Sequence, residues 1–144
     1  MTETTKGSAK TQKKILLVDD DFDLLEQNRI LLESKGYLVI TADNVKDAWE
    51  TFQREKPDAA VLDLIMEEHD SGFILAHRIK RDPYGKTIPV ILLTSATYVT
   101  GMKFGVSTGE ESEWINCDAW FNKPIEIEAL SNKLEECFEQ RLNN

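Results

Sequence analysis

Cysteine is nearly missing from this sequence. Its two cysteines, Cys117 and Cys137, stand well apart, so neither the paired spacing of a zinc site nor the density of a disulfide scaffold is present. A reducing, cytoplasmic setting is the simple expectation. Long apolar runs are missing too. No stretch approaches the roughly 20 apolar residues of a membrane span, and the opening MTETTKGSAKTQKK has no apolar core of the kind a secretion signal carries. Cations are scarce, with 17 Lys and Arg against 26 Asp and Glu and a formal net charge of −9. That balance argues against direct nucleic-acid or anionic-membrane binding, which needs a basic surface, and favours a protein partner or a cation. With 144 residues, no repeats and no internal linker, one domain with a full hydrophobic core is expected. Residues 1–12 read as a disordered polar tail ahead of it.

What is present is a regular alternation. Five short apolar runs, at 15–19, 37–41, 58–63, 88–95 and 118–122, read as strands that are mostly apolar on both faces, as in a covered parallel sheet. Between them, Leu24, Leu25, Leu31 and Leu32 mark one helix, and Val45, Ala48, Trp49 and Phe52 mark a second. Leu75, Ala76 and Ile79 mark a third, and Ile127, Leu130, Leu134, Cys137 and Phe138 form one face of the last. Alternating strands and helices imply an α/β, doubly wound sheet that binds ligands beyond the C-terminal ends of its strands. That rule brings Asp19, Asp20 and Asp21 after the first strand, Asp63 after the third, Thr94 and Ser95 after the fourth and Lys123 after the fifth to one rim.

The stretch KKILLVDDDFDLL, residues 13–25, places three consecutive carboxylates there. Like charges so close repel and raise one another's pKa unless a cation neutralises them. A carboxylate nucleophile accepts a phosphoryl group when the charge building on its oxygens is neutralised, and Asp63 is the candidate. Mg²⁺ takes oxygen ligands from one or two carboxylates plus waters and phosphate oxygens, a role open to Asp19 and Asp20 with Asp63. Lys123 brings a point charge on a long stem and Thr94 a hydroxyl donor to the same oxygens.

These pieces in this order, LLVDDD, AVLDLIM, VILLTSA and WFNKP, resemble the receiver domain of two-component response regulators over residues 14 to about 140. The resemblance implies a flavodoxin-like five-stranded parallel sheet in the order 2-1-3-4-5 with helices on both faces, spanning residues 13–144. It implies a phosphoacceptor role for Asp63, assisted by Lys123 and Thr94, and Mg²⁺ (or Mn²⁺) held by Asp19, Asp20, Asp63 and the backbone carbonyl of Ile65. It also implies a switch in which Thr94 moves toward the phosphoryl group and the aromatic residue three before the lysine, here Trp120, fills the space behind it. A sensor histidine kinase or histidine phosphotransfer protein is the expected donor. The downstream protein target is not named by the sequence, and the chain reads as a stand-alone receiver that catalyses only its own phosphorylation and dephosphorylation. Ile65 and Ala96, two past the nucleophile and the threonine, offer no hydrogen bond to a hydrolytic water, which implies slow loss of the phosphoryl group.

Two other readings fit parts of the pattern. D-x-D after a strand also opens haloacid dehalogenase-like phosphatases, but that family needs a second acidic pair after the lysine, and it leaves Asp63 unexplained. A receiver-like scaffold that accepts no phosphoryl group is the other. Asp21 reads as a helix cap rather than a ligand, His69 and His77 as surface residues, and Trp49 and Cys137 as core. The segment between Thr94 and Lys123 is longer than receivers usually show and holds Gly101, Gly105 and Gly109. Interior glycines weaken a helix, so the fourth helix is expected to be short or irregular.

Overall fold

The computed structural model describes residues 12–63, 71–94 and 119–143. In chain order the elements are β1 (Lys14–Val18), α1 (Phe22–Ser34), β2 (Leu38–Ala42), α2 (Val45–Glu55), β3 (Ala59–Asp63), α3 (Ser71–Arg81), a 3₁₀ turn (Gly85–Thr87), β4 (Val90–Thr94), β5 (Ala119–Asn122) and α4 (Ile127–Asn143). The strands form one sheet in the order β2-β1-β3-β4-β5, and each neighbouring pair is parallel. The sheet order and the strand–helix alternation agree with the sequence reading. The expected irregular helix between the fourth and fifth strands falls in 95–118, outside the described residues, as do tail residues 1–11.

Alternation along each strand sends successive side chains to opposite faces, and two cores result. Leu16, Val18, Leu62 and Leu92 pack with Ala48 and Phe52 of α2 and Leu75 and Ile79 of α3. Ile15, Leu17, Val61 and Leu93 pack with Leu25 and Leu32 of α1 and Leu130, Leu134 and Phe138 of α4. β3 and β4 are buried throughout and β1 from Ile15 on, whereas β2 is exposed at Leu38 and half-buried over the next three residues, and β5 is half-buried over Ala119–Phe121 and exposed at Asn122. The expectation of burial on both faces fails in these two because β2 and β5 are the edge strands, each with a neighbour on one side only. β4 starts at Val90 rather than at residue 88. Pro89 has no N–H to donate to a ladder, and the Ile88 N–H closes the 3₁₀ turn on the Gly85 carbonyl at 3.2 Å.

Helix ends follow from capping chemistry. Asp21 caps α1, accepting from the N–H groups of Asp23 and Leu24, and Asn44 caps α2 through the Asp47 N–H. After α1 the chain turns through Gly36 at φ 96°, a region glycine enters without a Cβ penalty. A Cβ on Gly85 would lie 1.9 Å from the Ile79 carbonyl oxygen, so only glycine lets the 3₁₀ turn pack against α3. Cys137 is buried as expected. Trp49 differs from the expected core residue: it is half-buried, stacked on Phe52 at 5.3 Å, with the Arg78 guanidinium 4.2 Å from its ring centre. It roofs the edge of the core and gives Arg78 a cation–π seat.

Candidate functional site

The parallel register lines up the strand ends that carry the chemistry. Val18 pairs with Leu62, Asp63 with Leu93 and Thr94 with Asn122. Asp19 and Asp63 therefore end adjacent strands at nearly the same level, and Lys123 follows β5 directly. The Lys123 N–H donates to the Thr94 carbonyl at 2.7 Å, which pins the start of the β5–α4 connection against the end of β4. By strand alternation Asp19, Asp63 and Lys123 continue the face covered by α1 and α4. Thr94 and Trp120 continue the opposite face, where Trp120 packs half-buried against the core of α2 and α3.

Three carboxylates, from Asp19, Asp20 and Asp63, have oxygens within 4.8 Å of one another. Asp19 and Asp63 are buried, at 1% and 4% exposure, as is Thr94 at 2%, while Asp20 is exposed. The Lys123 ammonium lies 3.0 Å from Asp63 Oδ1 and 3.3 Å from Asp19 Oδ2. Asp19 Oδ1 accepts the Asp21 N–H at 2.9 Å, but Asp19 Oδ2 is buried without a hydrogen-bond partner, alone in this among the described side chains. A buried carboxylate oxygen that takes no hydrogen bond and has the Lys123 ammonium 3.3 Å away is an under-neutralised, costly group. In a cluster of hard oxygen donors, its chemistry fits a small divalent cation such as Mg²⁺. Ile65, expected to add a carbonyl, lies in 64–70 outside the described residues, as do His69 and Ala96.

Burial is the main force that pushes the Asp63 carboxyl up to about 6, with the Asp19 charge adding to it and Lys123 opposing. For Lys123, burial pulls the ammonium down, but the hydrogen bond and charge of Asp63, helped by Asp19, outweigh it and leave its pKa raised. A carboxyl whose folded pKa exceeds its unfolded value stabilises the protein fully below the unfolded pKa, and that stability is lost as pH rises through the folded pKa. In chelator, Asp63→Asn should therefore be more stable than the parent at pH 7.5. A rise from 3.8 to about 6 corresponds to about 3 kcal/mol. The advantage should shrink to near zero at pH 4, and urea unfolding of the two proteins at both pH values measures it.

The structure brings together Asp19, Asp20, Asp63 and Lys123, with Thr94 at the adjoining strand end. It places Asp21 in the capping role expected of it and His77 on the exposed face of α3. What sequence reasoning missed is the Asp21 backbone N–H bound to Asp19. The signal available was the two-residue spacing of an Asx turn, in which an Asp side chain accepts from the backbone two residues on.

The family model for the response regulator receiver domain matches residues 15–135. Among curated proteins, an uncharacterized 14.6 kDa protein from Leptolyngbya boryana is 43% identical over 84 residues, covering 58% of this chain and 63% of its own. The phosphate regulon transcriptional regulatory protein PhoB of Pseudomonas aeruginosa is 32% identical over 123 residues, covering 85% of this chain and 50% of its own. Among solved structures, a CheY-like receiver domain protein from Methanospirillum hungatei superposes with a TM-score of 0.73 at 23% identity, covering 92% of this chain and 98% of that one. The chain spans about half the length of several curated relatives that it matches. No helix among the described residues is long and apolar enough to cross a membrane.

Proposed function

The chain belongs to the response regulator receiver family, phosphoacceptor modules of two-component signalling, and from that premise we propose that Asp63 is its phosphoacceptor. The observation that carries the assignment is the buried Asp63 carboxylate, 3.0 Å from the Lys123 ammonium and within 4.8 Å of the oxygens of Asp19 and Asp20. Near neutral pH and above, a group whose pKa is about 6 is mostly ionised and able to attack phosphorus. Its oxygen forms the new P–O bond as the P–N bond of a donor phosphohistidine breaks, and the leaving imidazole keeps the bonding electron pair.

Asp19, Asp20 and Asp63 would hold Mg²⁺, with Mn²⁺ a substitute of like preference for oxygen. The cation supplies charge neutralisation for the phosphoryl oxygens. Lys123 stands already beside the acceptor oxygen, so its ammonium is placed to pair with a phosphoryl oxygen once the acyl phosphate forms. Thr94, at the end of the neighbouring strand, is placed to donate its hydroxyl to another. The donor is a sensor histidine kinase or a histidine phosphotransfer protein, and the phosphorylated module acts by changing its affinity for a downstream protein. The chain catalyses its own phosphorylation and dephosphorylation and no turnover of other substrates. Intact-mass measurement after incubation with acetyl phosphate and Mg²⁺ tests this reading: a phosphoryl adduct supports it, phosphoester turnover supports a phosphatase, and neither supports a scaffold.

Thr94 and Trp120 share one face of the sheet, on adjacent strands, so withdrawal of Thr94 toward a phosphoryl group opens space on the side where Trp120 packs. In a variant lacking Trp49 and Trp114, Trp120 fluorescence is expected to change when Mg²⁺ and a phosphoryl mimic such as beryllofluoride are added together. An unchanged spectrum in phosphorylation-competent protein removes Trp120 from the switch.

A further inference from the structure

We infer that Asp21 is a positioning residue for the cation cradle: its cap on α1 directs its own backbone N–H onto Asp19 and thereby turns the other Asp19 oxygen into the site. This rests on the reading of Asp19 as a cation ligand. The two oxygens of Asp19 are treated differently. Oδ1 accepts the Asp21 N–H at 2.9 Å, while Oδ2 has no hydrogen bond and lies 3.3 Å from Lys123 Nζ. A carboxylate rotates about its last torsion, and that terminal torsion is broad. The Asp21 N–H on Oδ1, opposite the Lys123 ammonium 3.3 Å from Oδ2, is among the described residues the one hydrogen-bond donor on this carboxylate and so helps set which oxygen faces inward. The Asp19 main chain is held separately, its N–H donating to the Ala42 carbonyl at 3.2 Å, so the backbone bond alone does not fix the side chain.

The direction of the Asp21 N–H depends in turn on the cap. Asp21 is extended, at φ −90° and ψ 109°, and its Oδ1 accepts from Asp23 N at 3.0 Å and Leu24 N at 3.2 Å. Its carbonyl accepts from Leu25 N at 2.9 Å. Side chain and carbonyl thus clamp the residue on its C-terminal side while its N–H clamps Asp19. The third carboxylate of the DDD run acts through geometry, from an exposed position, and contributes no ligand.

The test separates geometry from charge, because asparagine caps a helix about as well as aspartate while alanine does not. Mg²⁺ titration by calorimetry at pH 7.5 should show Asp21→Ala weakened about tenfold, the low end of what loss of an outer-shell partner does to metal affinity. Asp21→Asn should stay within about twofold of the parent, since its cap is retained. In metal-free protein, exchange of the residue-21 amide should accelerate in the alanine variant and not in the asparagine one. If Asp21→Asn binds as weakly as Asp21→Ala, the effect is charge and the proposal fails. If Asp21→Ala loses thermal stability with Mg²⁺ affinity intact, the cap serves the helix alone and the proposal fails. If the parent protein binds no Mg²⁺, the reading of Asp19 as a ligand fails and takes this proposal with it.

Discussion

Asp63→Asn is expected to abolish phosphorylation of the protein outright. With acetyl phosphate and Mg²⁺, the parent should gain the mass of one phosphoryl group and the variant none. The carboxamide offers no anionic oxygen to attack phosphorus, and no other described carboxylate combines its burial with its distance of 3.0 Å from Lys123. Asp19 is as deeply buried, but one of its oxygens is engaged by the Asp21 N–H. Full phosphorylation of the variant would move the acceptor elsewhere. The same substitution is expected to stabilise the metal-free protein, so lost phosphorylation cannot be put down to unfolding. A rise in stability with a loss of function is the signature of a buried charge kept for chemistry.

Lys123→Met is expected to give the largest loss of stability at the site. Lys123 is the described cation that contacts both buried carboxylates, at 3.3 Å and 3.0 Å. Removing one partner of a buried ionic cluster leaves uncompensated charge and costs about 3 kcal/mol, here lessened by the partial exposure of the ammonium. In chelator at pH 8, the variant should unfold at markedly lower urea than the parent. Without Lys123, the Asp63 carboxyl should be pushed further up, since burial and the Asp19 charge then act without opposition. Its deficit should therefore narrow as pH falls and Asp63 takes up a proton. Adding Asp63→Asn to the lysine variant should recover most of the loss, and Mg²⁺ should recover part of it in the single variant. Urea curves that match the parent at every pH would show that Lys123 does not hold the carboxylates in the folded state.

Much of the molecule was legible along the chain. Runs such as ILLV and AAVL announce strands buried on both faces, and the helical stripes at Ala48 and Phe52, at Leu75, Ala76 and Ile79, and at Leu130 and Leu134 meet the sheet as their spacing requires. Errors fell where a neighbour decides. β2 looks like any other strand in sequence, yet its place at the edge leaves Leu38 45% exposed. Leu24, Leu25, Leu31 and Leu32 mark the helix that forms, α1, but give no sign that Asn28 takes a buried place on it between Leu25 and Leu32. Ties between distant residues gave no signal at all. Tyr37 beside β2 donates its hydroxyl to Glu135 of α4 at 2.6 Å. The Lys14 N–H at the start of β1 donates to the Asp58 carboxylate at 2.8 Å.

At the site, sequence by itself determined which residues could meet. Parallel strands joined by helical crossovers put every strand's C-terminal end on one rim, so Asp19, Asp20, Asp63, Thr94 and Lys123 had to converge whatever the details of packing. The chemistry of those types, oxygen donors with one nucleophile and one ammonium, was equally readable. Only the tertiary structure decided how each of them behaves. Burial raises Asp63 to about 6, a lysine reaches two carboxylates at once, and a backbone N–H claims one oxygen of Asp19 while leaving the other unbonded. The physical reason is that a charge's energy depends on the water removed from around it and on distances of a few ångströms to its neighbours. Those quantities exist only once strands far apart in the chain lie side by side.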